Sequence, residues 1–212
     1  MARPRRAPGG VRVPQQARSR RTREKILEAA LACFEELGYD EATTAAIARR
    51  ARIAVGTLYG YFADKRDILL EVLDRTLREV ADYVIRGLDP ELWDEEDPRE
   101  SMRRLIGAVF HARTVSPGIQ RIIWERYFKD PAFRSAVETI EQEVLRALET
   151  LMLSLKSQGR LRVDDVTTAA FVIHTATEWT GARLMLGDSD PADVEASVEA
   201  ATDMISRFLF AD

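Results

Sequence analysis

From Arg18 onward, apolar residues recur at the three- and four-residue intervals that mark one face of a helix, segment after segment. Ile26, Ala30, Phe34 and Leu37 fall at i, i+4, i+8 and i+11, with Leu27 and Leu31 beside them. The helix they predict stops at Gly38, because glycine accepts the left-handed backbone at a helix C-terminus. A short helix of about 44–51 follows Thr43 and Thr44, and another of about 55–61 follows a three-residue turn. Asp64, with Asp67 three residues on, makes a near capping box for a longer helix carrying Ile68, Leu69, Val72, Leu73, Leu77, Val80 and Val84.

Residues 87–98 are acidic and bounded by prolines, and read as a loop. Beyond them the periodicity predicts helices at about 99–115, 117–128, 131–158, 164–186 and 191–210. Ser116-Pro117, Asp130-Pro131 and Asp190-Pro191 each place a capping side chain before a proline at the first helical position, where its missing N–H costs nothing. Gly159 and Gly187 serve as stops. No segment alternates as a strand would, so the expected fold is all-α with about nine helices.

Composition changes this picture at the N-terminus. Pro4, Pro8, Gly9, Gly10 and Pro14 stand among arginines, so residues 1–17 read as a flexible basic arm. Residues 1–25 hold nine Lys or Arg against the single acid Glu24, whereas the rest of the chain carries a net charge near −12 and the whole −4. A cationic front on an anionic body is the asymmetry of a DNA-binding head with a separate body. A tail kept for solubility is the alternative.

The chemistry present excludes several classes. One cysteine, Cys33, permits neither an internal disulfide nor a four-cysteine zinc site, and in its apolar stretch it reads as a buried thiol. Neither histidine has Glu three residues before it, and there is no His-Glu-x-x-His, Walker loop or Gly-x-Ser-x-Gly. No catalytic residue, metal or cofactor is expected, and an enzyme is the distant rival. No apolar run approaches the ~18 residues of a membrane span and no signal-peptide core follows the arginines, so the expectation is a cytoplasmic protein without a membrane partner.

Thr43 to Lys65 reads TTAAIARRARIAVGTLYGYFADK, with the physics of a helix-turn-helix. Ile47 and Ala48 face inward on the first helix, Ala51 is small where the helices cross, Ile53 plugs the turn, and Leu58 and Phe62 hold the second helix to the core. Val55, Gly56, Thr57, Tyr59, Gly60 and Tyr61 are left on or near the outer face. Thr57 suits base edges or a thymine methyl, and tyrosine hydroxyls suit phosphates.

With EKILEAALACFEELGYDEATT before it, then IA-x-x-A, then GTLY-x-YF and Lys65, this segment resembles the DNA-binding domain of the TetR family of repressors. The close match covers about residues 20–70, and helix number and lengths agree over the remainder. The resemblance implies that Thr44 caps the second helix and touches phosphate. It implies that Val55 and Thr57 face bases, that Tyr59 and Tyr61 hold phosphates, and that Lys65 sets a charge and a helix N-terminus on the backbone. Arg20, Arg21 and the arm before them would add minor-groove or phosphate contacts. Two positions depart from the family's habit: Arg52 stands in the turn where Gly is usual, and Ala54 stands where Ser usually caps the recognition helix. Arg52, beside Arg49 and Arg50, would restore affinity without sequence preference.

The expected domains are therefore a basic arm at 1–17, a helix-turn-helix domain at 18–66, and a body at 67–212 that binds a ligand and dimerises. In the body, Phe110, His111, Trp124, Phe128, His174, Glu178 and Trp179, with Phe171, Met152 and Met185 nearby in spacing, are the candidates for a pocket that holds a small hydrophobic effector. A lone histidine on an apolar face is also what a satisfied core histidine looks like, and that alternative stands for His111 and His174. The last two helices carry apolar faces that want a partner, which implies a four-helix homodimer interface and two heads spaced for a palindromic site on double-stranded DNA. A DNA-binding or adaptor protein indifferent to ligands is the alternative function.

Overall fold

The computed structural model describes residues 12–93, 97–186 and 190–210, with side chains from Arg18 on, those of 113–115, 185 and 186 excepted. The arm up to residue 11, the side chain of Met185 and the stop expected at Gly187 lie outside the described residues. Among the described residues there are nine α-helices and one short 3-10 turn: α1 (Arg12–Glu41), α2 (Thr44–Arg50), α3 (Val55–Leu58), α4 (Lys65–Gly87), the 3-10 turn (Pro90–Trp93), α5 (Pro98–Val115), α6 (Pro117–Lys129), α7 (Pro131–Ser157), α8 (Val166–Leu186) and α9 (Pro191–Leu209). The fold is all-α, and the sole extended pairing among the described residues is an isolated antiparallel bridge between Leu161 and Phe210. None of the described helices is long and apolar enough to cross a membrane. The chain divides into two compact units that meet at Val72–Leu73.

In the first unit, Ile26, Ala30, Cys33 and Phe34 of α1 are buried together with Ala42, Ile47, Ala48, Leu58, Phe62, Ile68 and Leu69. Helical turns begin at Arg12, six residues before the expected start. At Gly38 the backbone breaks to φ 75° and ψ 173°, and a last turn continues beyond it to Glu41. Thr43, in extended geometry, accepts a hydrogen bond from the Ala46 amide at 3.1 Å and caps α2. The cap is therefore one residue earlier than the expected Thr44, which is already helical and so turns its hydroxyl outward. Before α4, the Asp67 amide donates to Asp64 Oδ1 at 2.8 Å and the Ala63 amide to Asp67 Oδ2 at 3.1 Å.

The second unit packs α5 against α9 and α8, α7 against α8 and α6, and α8 against α9. Phe110, Leu151, Met152, Leu155, Ala170, Val198 and Leu209 lie in its core. Asp130 and Asp190 cap α7 and α9, the latter in a full capping box with Asp193. Ser116 makes no capping bond, since its backbone (φ −134°, ψ 68°) does not aim the hydroxyl at the first turn of α6. Trp93 closes the acidic segment: it is fully buried and its indole N–H donates to the Gly87 carbonyl at 3.0 Å. Arg103 on α5 pairs with Glu195 and Glu199 on α9, and Arg99 reaches Glu199 and Asp203 at 3.5 and 3.8 Å, lacing the two helices.

Candidate nucleic-acid interface and effector cavity

The helix-turn-helix is held from inside by side chains with no exposure, Ile47, Ala48 and Leu58, with Ala51 small at the crossing. The turn passes through Arg52 at φ 57°, the left-handed conformation a non-glycine residue adopts at a cost of about 1–2 kcal/mol. Ile53 is half-buried beneath it and its amide donates to the Ala48 carbonyl at 3.0 Å. Ala54 has the extended backbone of an N-cap but no side-chain oxygen to accept a bond. Regular α geometry in α3 ends at Leu58, three residues short of expectation, and Gly60 and Tyr61 donate to Thr57 and Leu58 in tighter i→i−3 turns. An uncapped start and two glycines in seven residues give this helix little intrinsic stability, so its position depends on Leu58 and Phe62.

What this leaves outside is a short polar ridge. Val55, Gly56, Thr57, Tyr59 and Gly60 are exposed and Tyr61 is half-buried. The hydroxyls of Thr44 and Tyr59 lie 3.1 Å apart and share a hydrogen bond, so α2 and the end of α3 present them as a pair. Arg20, Arg21, Arg49 and Arg52 are exposed. Arg50 instead grips Glu36 with two bonds of 2.6 Å, which holds that carboxyl below the ordinary glutamate range and ties α2 to α1. The Lys65 ammonium donates to the carbonyls of Tyr39 at 2.7 Å and Asp40 at 3.2 Å and lies 4.3 Å from the Tyr39 ring centre. Those bonds employ two of its three N–H donors and anchor the start of α4 to the end of α1. Arg23, which the sequence did not single out, stacks 4.6 Å from the Phe62 ring centre and pairs with Glu71. It positions the residue that holds the recognition helix.

The second unit contains a cavity of about 150 Å³ lined by α4, α5, α7 and α8, with Leu88 and Gln120 completing it. Fourteen of its twenty lining residues are apolar; the polar ones are Thr76, Gln120, Glu141, His174, Thr177 and Glu178. His174 and Glu178 of the sequence candidates thus face it. The other five candidates do not line it. Phe110 is turned into the core, and His111 is exposed with Nδ1 at 2.7 Å from the Gly107 carbonyl. Trp124, Phe128 and Trp179 form a separate aromatic cluster with Tyr127: the two tryptophan rings stack at 5.0 Å, and Phe128 and Trp179 are 65% and 50% exposed. The walls supplied by α4, α5 and α7, such as Val80, Met102 and Ile140, had no polar or aromatic signature that would have marked them.

A buried helix pair that presents a short ridge of small and hydroxyl-bearing residues, on an otherwise helical body with an apolar cavity, defines a helix-turn-helix DNA-binding protein. Residues 26–72 match the family described as bacterial regulatory proteins, tetR family, and residues 97–209 match the tetracyclin repressor-like C-terminal domain. The chain belongs to the TetR family of transcriptional regulators, and its relatives and fold are those of regulators and not of enzymes. It is similar to ArpR of Pseudomonas putida, named as an HTH-type transcriptional regulator, with 29% identity over 87% of this chain and 91% of that protein. A TetR-family regulator from Mesorhizobium loti shares the fold with a TM-score of 0.78 at 21% identity, over 92% of this chain and 99% of that one. SmeT, the repressor of a Stenotrophomonas maltophilia multidrug efflux pump, does so at 0.68 and 22%, over 90% and 91%.

Proposed function

We propose that this regulator is a ligand-released repressor: a homodimer through α8 and α9 that holds a palindromic operator and lets go when a small hydrophobic molecule enters the cavity of the second unit. The observation that carries the reading is the course of α4. Its first residue, Lys65, is anchored to the end of α1 within the DNA-binding unit, and its later residues Thr76, Leu77, Val80, Ala81 and Val84 line the cavity. A ligand that prefers a different spacing of those walls therefore acts on a helix that is also part of the DNA-binding unit. Such a ligand shifts the equilibrium only by its differential affinity for the two states.

In this reading Val55 and Thr57 touch base edges, while Thr44, Tyr59, Tyr61, Lys65, Arg52, Arg20 and Arg21 take phosphates. Dimerisation is supported by apolar side chains left exposed on α8 and α9: Phe171 and Val172 on the first, Met204 and Phe208 on the second. Phe171 and Trp179 lie eight residues apart on one helical face, as Met204 and Phe208 do at four. Repression follows the habit of relatives such as SmeT.

Fluorescence anisotropy of the full chain on fragments of its own upstream DNA, with sedimentation to read its oligomeric state, tests the proposal against a panel of hydrophobic ligands. Expected are a dimer, salt-sensitive binding and ligand-dependent release. A monomer, or a protein whose DNA affinity ignores every ligand that calorimetry shows to bind, would sink it.

A further inference from the structure

The recognition helix has little to fix its own place. Its regular turn is four residues, Val55–Leu58, its N-cap Ala54 makes no side-chain bond, and Gly60 follows two residues after Leu58. Phe62 is 2% exposed and its amide donates to the Leu58 carbonyl at 3.1 Å, so this ring is tied directly to the end of the helix. Arg23 of α1 lies over the ring, its guanidinium carbon 4.6 Å from the ring centre, and Nη2 of the same group pairs with the Glu71 carboxylate of α4. From this we propose that Arg23 sets sequence selectivity without touching DNA: it is a positioning residue, which fixes the recognition helix by tying its anchor Phe62 to α1 and α4. Neither an effector nor a dimer is needed for this.

The arginines of the first half of α1 differ in their surroundings. Arg20 and Arg21 are exposed, whereas the Arg23 guanidinium has a face on a ring and an edge on a carboxylate. A planar cation held in both ways is constrained in direction as well as distance. Its charge is answered by Glu71, so it has little left with which to displace counterions from a phosphate. With 41% and 32% of the two side chains exposed, the ion pair adds little to global stability, so its loss is read in the placement of the helix more than in unfolding. Moving Phe62 moves Leu58 and, with it, the exposed Val55 and Thr57 of the preceding turn. Contacts to base edges need hydrogen-bond distances and angles, while attraction to the phosphate backbone tolerates displacement. A misplaced helix therefore loses affinity for a matched sequence and keeps it for an arbitrary one.

Fluorescence anisotropy of the full chain compares a duplex that the wild-type protein selects from a random pool with a scrambled duplex of the same length and composition, each across a salt series. Arg23→Ala is expected to lose about tenfold in affinity for the selected duplex and less than about twofold for the scrambled one, with an unchanged salt slope on the latter. Glu71→Gln frees Arg23 and removes an acid, so it separates the two roles by sign. It should lower the ratio of selected to scrambled affinity by about threefold, whereas an Arg23 that binds phosphate would gain strength on both duplexes. This variant decides the matter if Arg23→Ala does not fold. An unchanged ratio in Glu71→Gln, tighter binding of both duplexes by it, or an equal loss on both duplexes with a flatter slope in Arg23→Ala would overturn the inference.

Discussion

Arg52 occupies a position where backbone and charge make opposite demands, so Arg52→Gly should separate them. At φ 57° the arginine bears the left-handed cost of about 1–2 kcal/mol, which glycine does not. Glycine gives part of this back, since its freer unfolded chain costs about 0.5–1 kcal/mol on folding. The net is a stabilisation of roughly 0.5–1 kcal/mol, or about 1–4 °C in Tm for a chain of this length. Meanwhile each operator-bound subunit loses one exposed guanidinium. If that group meets a phosphate, the log–log slope of affinity against salt should flatten by ~0.9 per subunit, or ~1.8 for a dimer. Thermal unfolding at fixed protein concentration reads the first effect, and anisotropy titrations from low to moderate salt read the second. Arg52→Ala keeps the strained backbone and should flatten the slope without the gain in Tm. A glycine variant less stable than wild type would refute the strain argument, and an unchanged slope would remove Arg52 from the phosphate contacts.

Thr57→Ala should alter preference among operator sequences by roughly 1 kcal/mol at one base step, whereas Tyr59→Phe with Tyr61→Phe should weaken all sequences alike; equal loss of discrimination in both, measured by competition binding, would undo that division of roles. Gly87→Ala would place a Cβ 2.3 Å from Leu105 Cδ2, a side chain that lines the cavity. It should cost about 1–3 kcal/mol and change ligand affinity, and a variant with wild-type unfolding and binding would show that this wall yields freely. The hydrogen bond from Arg103 holds the Glu199 carboxyl below the ordinary value of 4.5, so the folded state resists protonation more than the unfolded one. The α5–α9 pairing is thus fully present above that value and is lost as pH falls through the lowered one. In acid titrations followed by circular dichroism, Glu199→Gln should lose less stability below pH ~4.5 than wild type does, and a parallel loss would exclude the pair as a source of acid sensitivity.

Much of this molecule was legible along the chain because its causes are local. The Ile26–Leu37 stripe, the break at Gly38 and the Asp-Pro starts at 130 and 190 act within one or two turns, and the helices stand close to where those signals put them. The paired hydroxyls of Thr44 and Tyr59 were half legible: both were expected outside, but their hydrogen bond depends on the crossing of α2 and α3. Trp93 was not legible, because an acidic, proline-bounded stretch gives no sign that one of its residues closes back on Gly87.

The cavity shows the division most sharply. Aromatic and histidine residues drew attention by type, but lining is decided by direction, and neighbours on a helix differ by about 100°. Val109 faces the cavity while Phe110, one step on, enters the core. Its two carboxylates and Gln120 line it from three successive helices, α6, α7 and α8. Periodicity states which face of each helix is apolar; only the packing of those faces against one another decides which polar groups share an enclosed space, because that depends on crossing angles no single segment contains.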